Sequence, residues 1–244
     1  MLKVLSTGQT DVGLKRTNNE DAYLVRIDLG LVALADGMGG AAAGELASQF
    51  FTESSLEVFS RAGPPSGSDR AELIQYSFEL ANQRILSHVE ENPHHRGMGC
   101  TAELLVFSSE RFTLGHVGDS RTYLFRQGRL RQLTQDHSLV QDQVNQGLIT
   151  EQEARRHPLR NVILRAVGTR ETLEVDLIRG TLTDKDIYLL CSDGLSDMID
   201  DDAIRTTLAL RAGLSEKAER LVEQAKSAGG LDNITVVLSE IVYE

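Results

Sequence analysis

Asp36, Asp119, Asp193 and Asp232 share an expensive placement. Each stands at the edge of an apolar run: Asp36 after LVALA, Asp119 after FTLGHVG, Asp193 after IYLLCS and Asp232 just before NITVVL. A carboxylate at the end of a buried strand costs free energy unless a cation or hydrogen-bond donors meet it. One Asp-Gly pair is also the usual tight-turn dipeptide. The return of the pattern along the chain is what points to a shared site. Glu20 and Asp21 add two more acids beside another strand end. If these ends meet, the carboxylates cannot all stay ionised without cations among them. Oxygen donors with no converging Cys or His set select hard ions, Mg²⁺ or Mn²⁺. Asp36 offers a side-chain oxygen and Gly37 a peptide carbonyl, and Gly37, Gly39 and Gly40 should permit positive φ and close approach of the main chain. Paired hard ions suit displacement at phosphorus. Such chemistry also wants a guanidinium to hold the phosphate in a two-pronged grip, and Arg16 is placed for that.

The elements that must carry these residues can be read from the pattern. Short strands are expected over 2–12 and 21–28, then a helix over 44–60 with Leu46, Phe50, Leu56 and Phe59 at helical spacing. The breaker AGPPSGS separates it from a second helix, which Asp69 and Glu72 open with a capping box and which runs to about His88. His94 and His95 fall in a polar loop and read as exposed. From Thr101 the period becomes two, with strands at 102–107, 112–117, 121–126 and 129–133. Two helices followed by several strands imply an α+β layered fold and not βαβ winding. Residues 138–168 are polar with few core anchors, including a short helix capped by Thr150 and Glu153 and ended by Pro158. This excursion is a candidate substrate flap. Strands return at 173–180 and 186–191, followed by helices at 201–211 and 215–227, the latter capped by Ser215. No repeat or long linker divides residues 1–244, so a single domain is expected.

With 244 residues the chain can bury a sizeable core, so a metal site would be functional and not structural. A net charge of −11 argues against nucleic acid and anionic membranes as partners. Cys100 and Cys191 lack zinc or redox spacing and read as buried thiols of a reducing compartment. No apolar run approaches membrane-spanning length, and a cytoplasmic location is expected.

Taken in order, the motifs resemble those of the metal-dependent type 2C serine/threonine protein phosphatases in their compact bacterial form. RTNNED at 16–21 looks like the family's RxxNED opening, and DGMGG at 36–40 is the same as its glycine turn. GCTA at 99–102, VGDSR at 117–121, LTQDHS at 133–138, SDG at 192–194 and the DN of Asp232 and Asn233 follow in family order. The resemblance covers the whole chain. It implies a four-layer α-β-β-α sandwich of two antiparallel sheets flanked by helix pairs, with a small flap subdomain. It also implies that Asp36 bridges two Mn²⁺ or Mg²⁺ ions. Asp193 and Asp232 would complete the first ion, and the Gly37 carbonyl would serve the second, with Glu20 and Asp21 holding its waters. Asp119 with Asp193 would form a weaker third-ion site, and Arg16 would grip the substrate phosphate. A hydroxide bridging the ions would attack phosphoserine or phosphothreonine in line, without a phosphoenzyme. Phosphorylated proteins, among them a Ser/Thr kinase, would be the partners of a monomeric enzyme. One departure is notable: Met38 and Ala41 stand where relatives carry a histidine in or after the glycine turn. A general acid is then not assigned, and His137 is read as orienting a loop, with a metal-bound water able to give the proton. The alternative implied function is a catalytically silent module of the same fold that binds a kinase or other signalling partner.

Overall fold

The structure, a computed structural model, describes residues 2–39, 43–62 and 70–243. The expectations for Gly40, Ala41, the breaker from Gly63 onward and the Asp69 cap lie outside those residues.

The chain opens with strands β1 (Leu2–Asp11), β2 (Asp21–Arg26) and β3 (Leu31–Met38), then helices α1 (Gly44–Ala62) and α2 (Arg70–Glu91). A meander follows: β4 (Gly99–Phe107), β5 (Arg111–Val117), β6 (Arg121–Arg126) and β7 (Arg129–Gln132). The polar excursion holds α3 (Leu139–Asn145) and α4 (Glu151–Ala154). The last third comprises β8 (Asp176–Thr181), β9 (Ile187–Cys191), α5 (Asp193–Ser196), α6 (Asp201–Leu208), α7 (Leu214–Ser227) and β10 (Ile234–Tyr243). All strand pairs are antiparallel, in two five-stranded sheets of order β1-β10-β9-β6-β7 and β2-β3-β4-β5-β8.

The inner strands are apolar on both faces because both faces are covered. Along β3, Leu31, Ala33 and Ala35 pack toward α1 and α2, while Val32 and Leu34 face the other sheet. β10 divides in the same way, with Ile234, Val236 and Leu238 toward the second helical layer and Val237 and Ile241 toward the sheet interface. Three apolar layers between four layers of structure are the expected sandwich. Each fully buried Leu among them contributes about 2–3 kcal/mol of transfer free energy.

Three local expectations shift. Ser215 does not cap α7; Gly213 takes the cap position with extended backbone and no side-chain bond, leaving Ser215 inside the first turn. The Thr150–Glu153 capping box forms, but α4 ends at Ala154, well ahead of Pro158, so the proline is not what stops it. The turn α5 has no hydrophobic period and was not expected. No described helix is long and apolar enough to cross a membrane.

Candidate metal centre

Antiparallel register puts Asp21 of β2 directly opposite Asp36 of β3, and Asp36 opposite Thr101 of β4. Like charges facing one another across strands repel. The other sheet supplies Asp193, at the turn after β9, and Asp232, just before β10. Both sheets therefore deliver acids to the same end of the sandwich.

Their ionisation reports the gathering. Burial holds the Asp36 carboxyl well above the usual carboxylate range, and Asp21, Asp193, Asp119 and Asp232 then push it further. Asp193 is raised by burial and next by Asp119, Asp197, Asp232 and Asp21. Burial lifts Asp21 to about 6 and Asp119 to about 7, the latter with Asp136 and Asp197 adding to the rise. Burial also raises Glu20, against the pull of Arg16.

Short contacts fix this arrangement. Ser192 Oγ donates to Asp21 Oδ2 at 2.9 Å and accepts from the Thr235 amide at 3.0 Å, joining β2 to the strand ends of the opposite sheet. The Asn233 side chain donates to the carbonyls of Val12 and Asn18 at 3.0 and 2.8 Å and accepts from the Glu20 amide at 2.8 Å. Gly194 allows α5 to lie on this clamp, since a Cβ there would stand 1.9 Å from the Asn233 carbonyl oxygen. Gly37 is needed for space and not for handedness. It lies in extended β3 with its amide donating to Glu20 O at 3.1 Å, and a Cβ would meet Gly44 O at 2.1 Å. Of the glycines in this turn that are described, Gly39 has the positive φ, 142°.

Arg16 lies at the rim, with Nη2 donating to Asp232 Oδ2 at 2.7 Å and its side chain 51% exposed. The expected phosphate holder is thus paired with an expected metal ligand. Arg121 is committed elsewhere: it forks onto Asp136, donating from Nε at 2.9 Å and from Nη2 at 2.7 Å. Both ring nitrogens of His137 are engaged. Its Nδ1 accepts from the Gly118 amide at 3.0 Å, and Nε2 lies 3.3 Å from Asp176. Burial, with His116 beside it, lowers its pKa to about 4, so it stays neutral at pH 7.

The donor set fits hard divalent cations. It consists of oxygens, it carries excess negative charge, and Asp21 Oδ1 is buried without a hydrogen-bond partner. Among the described residues no three His, Cys, Asp or Glu side chains already close on one point. Asp232 is bonded to Arg16 and Asp21 to Ser192.

Beside the acids lies a cavity of about 540 Å³. Asp119, Asp193 and Asp197 line one wall, and Arg155, Arg160 and Asn161 of the excursion line the other. Arg160 Nε reaches Asp197 at 3.5 Å.

Residues 14–231 match the family described as Protein phosphatase 2C. The chain belongs to that family. This phosphatase 2C chain is 42% identical over 234 residues to the serine/threonine protein phosphatase PstP of Mycobacterium tuberculosis H37Rv, a match covering 96% of the chain but 44% of PstP. It is 38% identical over 232 residues to the protein phosphatase PhpP of Streptococcus pneumoniae D39, covering 94% of each. A crystal structure of M. tuberculosis PstP/Ppp superposes with a TM-score of 0.92 at 39% identity, over 98% of this chain and 99% of that one. The PstP catalytic domain in complex with two manganese ions superposes at 0.90, with 39% identity and full coverage of both chains. The family's architecture is therefore the α+β sandwich described above.

Several residues that hold the phosphatase 2C site together carried no chemical assignment in the sequence reading. Asn233 and Ser192 sit inside recognised motifs, yet their roles depend on partners some 170 to 215 positions away. Asp197 stands in a turn with no period to single it out.

Proposed function

We propose that this chain is a protein serine/threonine phosphatase that hydrolyses phosphoserine and phosphothreonine with two Mn²⁺ or Mg²⁺ ions. The observation that carries the reading is the convergence on Asp36 of four other acids from both sheets, Asp21, Asp193, Asp119 and Asp232. Asp36 would be shared by the two ions, with Asp193 and Asp232 on the first and the Gly37 carbonyl on the second. Glu20 and Asp21 would accept from the second ion's waters, and a weaker third ion would rest on Asp119 and Asp193. When bound, such ions supply an attacking hydroxide at neutral pH and offset charge building on the phosphoryl group.

The protein's own groups prepare the rest. Ser192 holds Asp21 and Asn233 holds the backbone that carries Glu20, so the main chain under these acids is set before any ligand arrives. Arg16 stands at the mouth, tethered through one terminal nitrogen to Asp232. A guanidinium has five donors, leaving capacity for a phosphate oxygen. The excursion over 138–168 is read as a flap of a single catalytic domain, and its Arg155 and Arg160 face the cavity where a phosphoprotein would lie. Phosphorylated proteins, a Ser/Thr kinase among them, are the proposed substrates, acted on by a cytoplasmic monomer.

The test is hydrolysis of p-nitrophenyl phosphate and a phosphothreonine peptide with Mn²⁺, repeated with EDTA. Both activities should vanish on chelation and return with Mn²⁺, and Asp36→Asn should lower them by more than about a hundredfold. Activity that survives EDTA overturns the mechanism. A folded wild type that stays inert with excess Mn²⁺ favours a silent partner-binding module instead.

A further inference from the structure

Away from the acids, the last turns of α2 and the short 3₁₀ turn Pro93–His95 bring three imidazoles together. His88 Nε2 and His95 Nδ1 are 2.8 Å apart, and their rings are nearly parallel, at 19° with centroids 5.1 Å apart. His94 lies against His95 with ring centroids at 4.1 Å. His88 and His95 are half-buried and His94 is exposed. The sequence pattern places His94 and His95 in a polar loop; the fold sets His95 against His88, seven residues earlier.

The backbone under these rings is well held. The Asn92 amide donates to His88 O at 2.9 Å, the His95 amide to Asn92 O at 2.9 Å, and the Met98 amide to His95 O at 3.1 Å. Phe50 packs beside His88, with ring centroids at 5.5 Å. Burial, and then the neighbouring His94 and His95's partner His88, lower the pKa of His95, so no proton has to be displaced from it at neutral pH. Two imidazole nitrogens facing each other at this distance hold a proton between them, and both are good ligands for borderline ions. A tetrahedral ion bonded at 2.0–2.1 Å to each needs the nitrogens about 3.3 Å apart, a widening of roughly half an ångström. Small side-chain rotations provide that, and the shared proton moves to the far nitrogen of its own ring.

We propose that His88 and His95, with the exposed His94 turning in as a third donor, form a site for a borderline divalent ion of the Zn²⁺ class. Among the described residues the three side chains do not already close on one point. Water completes the shell. The site differs in kind from the oxygen-lined centre: nitrogen donors favour Zn²⁺ over Mg²⁺. Its occupation would brace the loop behind the glycine turn, since Met98 backs so closely onto Gly39 that a Cβ there would lie 2.7 Å from Met98 Cα. The inference does not depend on the phosphatase reading.

The experiment uses the full chain with Mg²⁺ in large excess, titrated with Zn²⁺ by calorimetry and followed through the histidine imidazole resonances. One equivalent of Zn²⁺ should bind and shift the ring signals of His88 and His95. His95→Gln should weaken that binding by about tenfold or more, and His94→Ala, at an exposed position, should weaken it measurably. If His95→Gln fails to fold, the wild-type ring signals and His94→Ala decide. The proposal is overturned if Zn²⁺ does not bind, if it binds both variants as tightly as wild type, or if the ring signals of His88 and His95 stay fixed.

Discussion

Asn233 is where a single side chain has the most to lose. It is 5% exposed, and its amide satisfies two carbonyls and one amide of the Val12–Glu20 segment, which carries Arg16 and Glu20. Asn233→Ala leaves those groups without partners, at a cost of about 2–4 kcal/mol, since each stranded buried group costs about 1–3 kcal/mol and neighbours are not fully additive. Asn233→Asp keeps the shape but turns an anion toward two carbonyl oxygens, so it should be at least as damaging. Urea unfolding would measure the loss, and both variants should also need more Mn²⁺ for half-maximal activity. The acids were legible in the sequence because a carboxylate ending an apolar run is conspicuous. Asn233 and Ser192 were not, because an amide or hydroxyl beside a strand looks ordinary until its partner arrives from the far end of the chain. Arg16 was legible as a cation near the acids, but its ion pair with Asp232 was not.

At the scale of elements, the period-two and period-3.6 patterns identified the strands and the long helices, because each has one or two faces fully covered. The excursion was recognised from its lack of anchors. Its attachment was beyond the sequence: Ser138 bridges Ile163, Val167 bridges Cys100, and the Leu164 amide donates to His137 O at 2.7 Å. The first and last of these bonds close the excursion on itself and the Val167 bridge ties its end to β4, while Leu148 and Leu159 stay 67% and 47% exposed. Its arginines line the cavity from the excursion's side, where a peptide would place flanking residues that a small aryl phosphate lacks. Arg155→Ala combined with Arg160→Ala should therefore reduce kcat/KM for a phosphothreonine peptide by about tenfold, the size of one charge-assisted contact, and leave p-nitrophenyl phosphate within about twofold. Steady-state kinetics on the two substrates side by side would check the split.

Across the whole molecule, the gathered acids make stability depend on pH and on cations together. Burial raises Asp119 from 3.8 to about 7 in the folded chain, so the folded state holds that proton more tightly than the unfolded one. Its contribution is fully present below about pH 4 and is lost as the pH climbs to about 7, and Asp21, raised to about 6, acts in the same direction. In EDTA the melting temperature of wild type should fall relative to Asp119→Asn across that window. With saturating Mn²⁺ the gap should narrow or reverse, because the anions then have a counter-charge. Scanning calorimetry at several pH values reads both effects. Position within the sheets has a further consequence. β10, the last strand, lies between β1 and β9, and Asp232 stands at its entrance. Until β10 pairs, the sheet has an open slot between β1 and β9 and the ring of acids lacks Asp232, so the site closes only when this strand docks.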